Sequence, residues 1–136
     1  MLKDRDLREK AILDANINRV SEGLRVIEDW SRFYLRDEYL VSGLRQIRHQ
    51  LWKSVSDSYP DIVKGRTTGE DILAGASEGV RKCAGDIPKA SFNRVKEGLR
   101  VLEEMGKVIS SDASAVFKEM RFRLYDLEQI YYEKTN

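Results

Sequence analysis

The chain has 136 residues, of which 41% are hydrophobic and 35% charged, enough to form the core of one compact domain over residues 1–136. Its 24 Lys and Arg residues nearly balance its 23 Asp and Glu residues, for a formal net charge of +1, and this balance argues against a general nucleic-acid binder. A lone cysteine excludes an intrachain disulfide framework. The charged N-terminus and the lack of a long apolar run argue against a signal peptide and a membrane span, so we expect a cytoplasmic protein.

The first predicted unit is a helical hairpin, hairpin A, over about residues 14–57. Its first helix runs from about residue 14 to 36 with Asp14 as the expected N-cap, and an earlier start near Leu7 is the alternative. Its second helix starts after Asp37. Side chains on the expected core face recur every three or four residues, and they are Ile17, Val20, Leu24, Ile27, Ser31, Tyr34, Leu40, Leu44, Ile47, Leu51 and Val55.

A connecting loop is predicted over about residues 58–85. Four of the nine glycines lie between residues 58 and 80, and no strand alternation is evident there. We expect a long ordered loop with a short helix near residues 76–83, and connections of this length are often functional. The stretch GRTTGE at residues 65–70 lacks the ending of a P-loop, but Arg66, threonine hydroxyls and backbone N–H groups are suited to contact an anion. Asp71 is expected to be a metal ligand or a cap.

Hairpin B, over about residues 86–134, follows the plan of hairpin A. The tripeptide DIP at residues 86–88 is a helix-start signal, and SSD at residues 110–112 supplies a break and a new cap. The expected core face consists of Phe92, Val95, Leu99, Leu102, Val116, Met120, Leu124, Leu127 and Tyr131. Two amphipathic hairpins bury their apolar stripes by packing together. The sequence therefore predicts an all-α protein, a four-helix bundle from a duplicated helical hairpin with pseudo-twofold symmetry and a long central loop.

The duplication preserves polar residues as well as apolar ones. Residues 15–29 read ANINRVSEGLRVIED and residues 90–104 read ASFNRVKEGLRVLEE, identical at ten of fifteen positions. On each helix the repeated polar residues step by three or four positions and so share one face; these are Asn18, Glu22, Arg25 and Asp29, and Asn93, Glu97, Arg100 and Glu104. A solvated face of ion pairs and a shared polar site both explain this pattern.

Gly23 and Gly98 occupy equivalent positions inside the two repeated helices. Glycine in a helix interior costs roughly 1 kcal/mol relative to alanine, so its presence in both copies indicates that a side chain there would be in the way. Either close contact between helices or room for a ligand against the backbone explains the pair.

Six arginines recur through the duplication and suggest an anionic ligand. A guanidinium group presents a rigid fork of donors that binds phosphate in a bidentate manner. By symmetry two arginine clusters would converge around one axis, and their members are Arg19, Arg25, Arg48, Arg94, Arg100 and Arg121. Glu22 and Glu97 would hold Mg²⁺, which prefers oxygen ligands and often bridges phosphates. Positive groups together with a metal are what phosphoryl transfer requires.

Other residues offer less. His49, the only histidine, occupies the slot of Phe122 in hairpin B, so its expected role is packing. Cys83 is expected to be buried or half-buried. Nucleophilic catalysis by a Ser-His-Asp set has no support.

The repeated phrases resemble a known family. They are DANINRVSEGLRVIEDWSRF at residues 14–33, LRQIRHQL at 44–51, FNRVKEGLRVLEE at 92–104 and RFRLYDLE at 121–128. This pattern is similar to the small helical domain of thiamin biosynthesis that occurs alone or fused in front of thiamine-phosphate synthase, and the resemblance covers about residues 10–130. The family is assigned as a hydroxymethylpyrimidine phosphate kinase.

The resemblance implies a reaction and a set of site residues. The γ-phosphoryl group of ATP would pass to the phosphate of 4-amino-5-hydroxymethyl-2-methylpyrimidine phosphate, with Mg²⁺ as cofactor. We assign catalytic roles to Arg25, Arg100, Glu22 and Glu97. Phosphate or substrate binding is assigned to Asn18, Arg19, Arg48, Arg66, Asn93, Arg94 and Arg121. The Mg²⁺ ligands would be Glu22, Glu97 and Asp71.

Two rival functions remain open from the sequence. One is a non-catalytic helical module that binds thiamin-pathway enzymes, such as thiamine-phosphate synthase, or phosphorylated intermediates. The other is an RNA-associated helical bundle, against which the near-zero net charge counts. A homodimer is also open, because Trp52, Tyr131 and Tyr132 are expected to be exposed.

Overall fold

The structure, a computed structural model, describes residues 6–77 and 79–135 and is all-helical within these ranges, as predicted. The long helices are α1 (Leu7–Asp29), α2 (Glu38–Val55), α4 (Asp86–Ile109) and α5 (Ser111–Thr135), and α3 (Tyr59–Ile62) is a single turn. A π-helical turn (Trp30–Leu35) extends α1, and short 3₁₀ turns cover Val63–Gly65 and Thr68–Glu70. No helix in the described ranges has both the length and the apolar character needed to cross a membrane.

The α1 helix begins earlier than the predicted start at residue 14. Asp6 is the N-cap, and its carboxylate accepts a hydrogen bond of 2.7 Å from the backbone N–H of Arg8. Asp14 lies inside the helix, with 5% of its surface exposed. The predicted N-cap role of Asp14 is therefore wrong, and the alternative start near Leu7 is correct.

The π-helical turn changes which side chains face the core at the end of α1. Arg36, which follows it, adopts a left-handed conformation with φ 54°, and the backbone N–H of Asp37 donates to the carbonyl of Ser31 at 2.9 Å. Because the π turn is wider than 3.6 residues, it rotates Tyr34 outward, where 70% of its surface is exposed. The prediction that Tyr34 lies in the core is wrong for this reason.

The start of the second helix in each hairpin is capped by a side chain. Asp37 accepts a 2.9 Å hydrogen bond from the backbone N–H of Leu40 at the start of α2. At the equivalent place in hairpin B, the Ser110 hydroxyl accepts a 3.1 Å bond from the N–H of Ala113. The break and cap predicted at residues 110–112 are confirmed.

The long helices share one hydrophobic core. Both α1 and α5 pack against α2 and α4. Apart from Tyr34, the predicted core residues are buried, with Val116 partly buried at the margin. The helical periodicity therefore identified the buried face of each helix correctly.

The helices α1 and α4 cross closely at the two repeated glycines. A Cβ atom on Gly23 would lie 2.6 Å from Cγ2 of Val95, and one on Gly98 would lie 2.7 Å from Cγ2 of Val20. Each repeated helix thus presents a valine to the glycine of the other. Close helix contact, and not space for a ligand, explains Gly23 and Gly98.

Several single-residue expectations about exposure are wrong. His49 and Cys83 are exposed, since position 49 and its counterpart Phe122 both lie on outward faces. Tyr131 is buried, and Trp52 and Tyr132 pack against the core. These three aromatic residues therefore form no exposed surface for a dimer.

The first part of the central loop is fixed against α1. A Cβ atom on Gly65 would lie 2.5 Å from Cβ of Lys10 and 2.6 Å from the carbonyl oxygen of Leu7, so only glycine fits there. The ammonium group of Lys10 lies 3.1 Å from a carboxylate oxygen of Asp61. Residues 66–77 and 79–84 are exposed, and the short helix predicted near residues 76–83 is absent from the described part of that segment.

Candidate functional site

Two of the six repeated arginines form buried ion pairs. Nε of Arg48 lies 2.9 Å from Oε2 of Glu28, and Nη2 of Arg121 lies 3.0 Å from Oε1 of Glu103. Each glutamate is 4% exposed. These glutamates are repeated residues, and the ion pairs that they form account for the repetition of Arg48 and Arg121.

Arg25 and Arg100 are also paired with carboxylates of their own helices. Nε of Arg25 lies 3.7 Å from Oδ1 of Asp29. Nη1 of Arg100 lies 3.0 Å from Oε2 of Glu103, and Nη2 lies 3.4 Å from Oε1 of Glu104. The ion-pair explanation describes these two arginines, and their assigned catalytic roles stay predictions.

The remaining predicted residues line two grooves along α1. The larger groove, of about 950 Å³, lies between α1 and the central loop. It brings together five of the predicted site residues, namely Asn18, Arg19, Glu22, Arg66 and Asp71. Arg8, Thr67, Thr68, Glu70 and the apolar Ile12 and Ile72 complete much of its wall.

A hydrogen-bond network built on the buried Asp14 supports the larger groove. Both oxygens of the Asp14 carboxylate accept from the Arg66 guanidinium group at 2.7 Å. The Tyr59 hydroxyl accepts from Nη2 of Arg66 at 3.1 Å and from Nδ2 of Asn18 at 3.0 Å. The hydrogen bond that Arg66 donates to Asp14 is the main cause that raises the pKa of Arg66 above its ordinary value. The network therefore fixes the Arg66 guanidinium group, as an ion pair with Asp14, at the rim of the groove.

The smaller groove, of about 380 Å³, lies between α1 and α4. Its walls contain the predicted residues Arg19, Asn93, Arg94 and Glu97, with Asn16, Ala90 and Val101. Because Asn16 and Arg19 also line the larger groove, the two grooves meet at these residues. Both volumes fall within the roughly 300–1,000 Å³ of small-molecule sites.

Arg19 is oriented at the junction of the two grooves by a buried amide. Asn16, 4% exposed, donates from Nδ2 to the carbonyl of Ile12 at 2.9 Å and accepts from Nη1 of Arg19 at 2.8 Å. The remaining donors of the guanidinium group make no hydrogen bond with residues 6–77 or 79–135. Arg19 is thus held in place by one hydrogen bond, and its other N–H groups are available to a ligand.

Three of the repeated polar residues in the grooves have no protein partner. Glu22, Glu97 and Asn93 are exposed and form neither a hydrogen bond nor an ion pair with any residue that the structure describes. Packing and ion pairing therefore explain the repetition of Gly23, Arg25 and Glu28, but not that of the groove residues. These side chains are open to solvent within the grooves.

The donors present fit a metal shared with a ligand, not a protein-only metal cage. Within the described ranges no group of three or more His, Cys, Asp or Glu side chains could hold an ion. One oxygen of Asp71 accepts from the N–H of Leu73 at 2.9 Å, so the capping alternative is correct for that oxygen. Mg²⁺ is commonly held by one or two carboxylates plus substrate phosphates, and Glu22, Glu70 and the second oxygen of Asp71 are suited to that arrangement.

Three residues of the site were not identified as such from the sequence. Asp14 was predicted to be a cap, and Asn16 and Tyr59 were given no role. The available signal was a difference between the copies, because Asp14 and Asn16 correspond to Lys89 and Ser91 in hairpin B. A comparison of the two repeats that looks only for identical residues does not identify Asp14 and Asn16.

Several known proteins similar to this chain are thiamine-phosphate synthases. The chain is 42% identical over 128 residues to a thiamine-phosphate synthase of Synechococcus sp., an alignment covering 92% of this chain and 35% of that protein. It is 40% identical over 120 residues to one from Synechocystis sp., covering 86% and 34%. It is 38% identical over 125 residues to one from Thermosynechococcus vestitus, covering 90% and 35%.

The chain spans about a third of the length of these relatives. No solved structure matches it. Residues 11–130 match the model of the ThiD2 family, and the matched range agrees with the extent of the resemblance drawn from the repeated phrases. That resemblance is confirmed, and the chain belongs to the ThiD2 family.

Proposed function

We propose that this protein acts in thiamin biosynthesis as an ATP- and Mg²⁺-dependent kinase that converts hydroxymethylpyrimidine phosphate to the diphosphate. Membership of the ThiD2 family and the shared name of its relatives, thiamine-phosphate synthase, support the pathway. The two adjoining grooves, with arginine and carboxylate side chains in both, support a reaction between two phosphorylated molecules.

The observation that carries the proposal is that Glu22 and Glu97 form no hydrogen bond or ion pair with residues 6–77 and 79–135. On a merely solvated face the repeated charges would pair within the helix, as Arg25 and Arg100 do. Instead Glu22 and Glu97 stand beside grooves that contain Arg19 and Arg94. Carboxylate and guanidinium groups that line the same open groove suit a ligand that carries phosphate together with groups that donate hydrogen bonds.

In the proposed reaction a phosphate oxygen of the acceptor attacks the γ-phosphorus of ATP. A new P–O bond forms as the bond to the bridging oxygen between the β- and γ-phosphorus atoms breaks, and ADP leaves with that electron pair. Arg19 and Arg66 would neutralise charge on the transferred group, which is where phosphoryl transfer gains most of its catalysis. The metal, when bound, supplies further charge neutralisation at the β- and γ-phosphates.

The acceptor chemistry explains why the grooves contain no histidine. A phosphate monoester loses its second proton near pH 6, so at neutral pH the attacking oxygen carries no proton to remove. No general base is therefore required of Glu22 or Glu97. The rate should fall below about pH 6 through protonation of the acceptor.

The proposal includes a finer description of the architecture. We regard the molecule as a four-helix bundle with a pseudo-twofold axis between α1 and α4. Reciprocal contacts support this description: the Gly23–Val95 and Gly98–Val20 pairs, and the Glu28–Arg48 and Glu103–Arg121 pairs. An axis at this position would bring both copies of the polar set to the α1–α4 face.

The test is turnover by the purified protein with ATP, Mg²⁺ and the pyrimidine monophosphate. Mass spectrometry should detect pyrimidine diphosphate, and ADP should form in equal amount. The Arg19→Ala variant should retain the fold and lose at least about 99% of the rate. Absence of diphosphate above the level of an enzyme-free control would refute the kinase.

A second candidate function is that of a non-catalytic module for thiamine-phosphate synthase. The observation favouring it is that this chain matches about a third of proteins carrying that name. Ligand binding without turnover, together with a stable complex between this chain and thiamine-phosphate synthase, would support it. Turnover by this chain alone would exclude the non-catalytic reading.

A further inference from the structure

Resting on the proposed kinase function, we propose that the two grooves are unlike subsites of one active site. The larger groove takes the Mg²⁺-bound nucleoside triphosphate and the smaller groove takes the pyrimidine phosphate. Arg19, at the junction, contacts the phosphoryl group in transfer. The two copies of the polar residues would then bind two different ligands in one active site, instead of forming two equal active sites.

The larger groove has the size and the donors for a triphosphate. Its volume is about 950 Å³, against about 380 Å³ for the smaller groove. Arg66, Thr67 and Thr68 supply guanidinium and hydroxyl donors along the loop wall, and Arg66 is fixed by its two bonds to Asp14. The same groove contains the carboxylates of Glu22, Glu70 and Asp71, which suit a metal bound to phosphates.

The smaller groove has the groups that an aminopyrimidine phosphate requires. The Glu97 carboxylate is an acceptor for an exocyclic amino group, and the Asn93 amide offers both a donor and an acceptor to a ring edge. Arg94 suits a single phosphate. Ala90 and Val101 supply apolar surface for the ring. This groove contains one carboxylate, whereas the larger groove contains several.

Differences between the two hairpins make the grooves unequal. The Asp14–Arg66–Tyr59–Asn18 network depends on the central loop, and hairpin B has no second loop to place beside Asn93. Where hairpin A has Asp14, which holds Arg66, hairpin B has Lys89. Only the hairpin A side is therefore built to hold a chain of phosphates.

The position of Arg19 distinguishes it from its counterpart Arg94. Arg19 lines both grooves, whereas Arg94 is among the lining residues of the smaller groove. Asn16 fixes Arg19 through the 2.8 Å bond. Arg19 is thus placed to contact the donor phosphate and the acceptor at once.

The duplication supplies matched variants for the test, which is steady-state kinetics of the full chain with both substrates varied. Glu22→Gln should raise the KM for Mg–ATP about tenfold and leave the pyrimidine KM within about twofold. Glu97→Gln should raise the KM for the pyrimidine phosphate about tenfold and leave the KM for Mg–ATP within about twofold. Arg19→Lys should lower kcat about a hundredfold, whereas Arg94→Lys should act on the pyrimidine KM. Glu119→Gln, at an exposed position of α5, should change none of these constants.

Kinetics that reverse the two KM effects, or that shift both constants equally in either glutamate variant, would overturn the subsites and leave the kinase intact. If the wild-type chain makes no diphosphate, the proposed function fails, and calorimetric binding of Mg–ATP and of the pyrimidine phosphate to the same variants decides the subsites. Selective loss of binding of one ligand in each glutamate variant supports the two subsites. Failure of the wild-type chain to bind either ligand overturns the two subsites as well.

Discussion

The two hairpins are alike where they pack and unlike where they face solvent. Gly23 and Gly98 make the same close contact with the opposite helix, and the glutamates Glu28 and Glu103 form matching buried ion pairs. By contrast, Gly65 and Arg66 fix the first part of the central loop to α1, and the described residues of hairpin B form no matching contact. The duplicated core thus sets the arrangement of the helices, and the central loop makes the surroundings of the repeated polar residues unequal.

The largest expected effect comes from breaking the buried ion pair of hairpin B. Arg121→Met leaves the buried Glu103 with Arg100 alone, so we expect a loss of about 3 kcal/mol in the free energy of unfolding. Arg48→Met should cost less, about 2 kcal/mol, because Arg45 lies 3.5 Å and Arg25 4.0 Å from Glu28. Urea denaturation measures both.

The double variant Arg121→Met/Glu103→Met controls for this effect. Removing both charges should recover most of the lost stability, because no unpaired charge remains buried. A loss below about 1 kcal/mol in Arg121→Met would show that the pair behaves as a solvent-exposed one. The ion pairs of the two hairpins would then not be equivalent.

Gly65→Ala should affect hairpin A alone. The added Cβ would meet Lys10 and the backbone of Leu7 and Ala11 within 2.9 Å, so residues 59–66 should detach from α1 at a cost of about 2 kcal/mol. Hydrogen exchange should rise in this segment while α4 and α5 keep their protection. Gly69→Ala is the control, since nothing lies within 4 Å of its Cβ position. Equal effects of the two variants would contradict the anchoring of the loop.

Gly23→Ala and Gly98→Ala test the equality of the two cores. Each Cβ would meet a valine methyl at 2.6 Å or 2.7 Å, and overpacking exceeds the gain in helix propensity by about 1 kcal/mol. Double-mutant cycles with Val95→Ala and Val20→Ala should show favourable coupling of similar size in both pairs. Coupling in one pair only would mean that the crossing is not reciprocal.

The smallest expected effect is a pH dependence that one hairpin has and the other lacks. Burial favours a higher pKa for Asp37, but hydrogen bonds from Lys134 and from the backbone of Leu40 outweigh it and hold the pKa of Asp37 below its usual range. A carboxyl group with a depressed folded pKa stabilises the fold above its unfolded pKa, about 3.9, and that stability is lost as pH falls through the folded value.

Asp37→Asn isolates this charge, because asparagine remains a good N-cap. We expect a loss of about 0.5 kcal/mol at pH 7 that shrinks as pH falls below the unfolded pKa and is gone below the folded pKa, measured by thermal unfolding across pH. Ser110→Ala, at the equivalent cap of α5, should lower stability equally at all pH values. A pH-independent loss in Asp37→Asn would mean that the contact with Lys134 has no electrostatic effect on stability.

Much of the fold follows from the sequence because helical periodicity reports burial directly. Every predicted core position of α2 is buried, and so are Phe92, Val95, Leu99 and Leu102 of α4. Tyr34 departs from the pattern because a π turn interrupts the 3.6-residue period, and nothing in the local residue types marks that turn.

The site was predictable only in part. Helical periodicity shows which residues share a face of a helix, but it does not show which residues of other helices or loops that face contacts. Arg19, Glu22, Asn93 and Glu97 were identified and do line grooves. Arg48 and Arg121 belong to the same repeated set, yet buried glutamates of neighbouring helices engage them. Asp14, Arg66 and Tyr59 meet across more than forty residues of chain, and such contacts depend on how the loop folds back.

The central claim is that unlike halves of a duplicated fold form one site with two subsites. The most direct measurement is a crystal structure of the full chain with Mg²⁺ and a non-hydrolysable ATP analogue. We expect the triphosphate to lie in the groove that contains Arg66, Thr67 and Glu22, with its terminal phosphate in contact with Arg19. A triphosphate bound instead along Asn93, Arg94 and Glu97, or equally in both grooves, would contradict it.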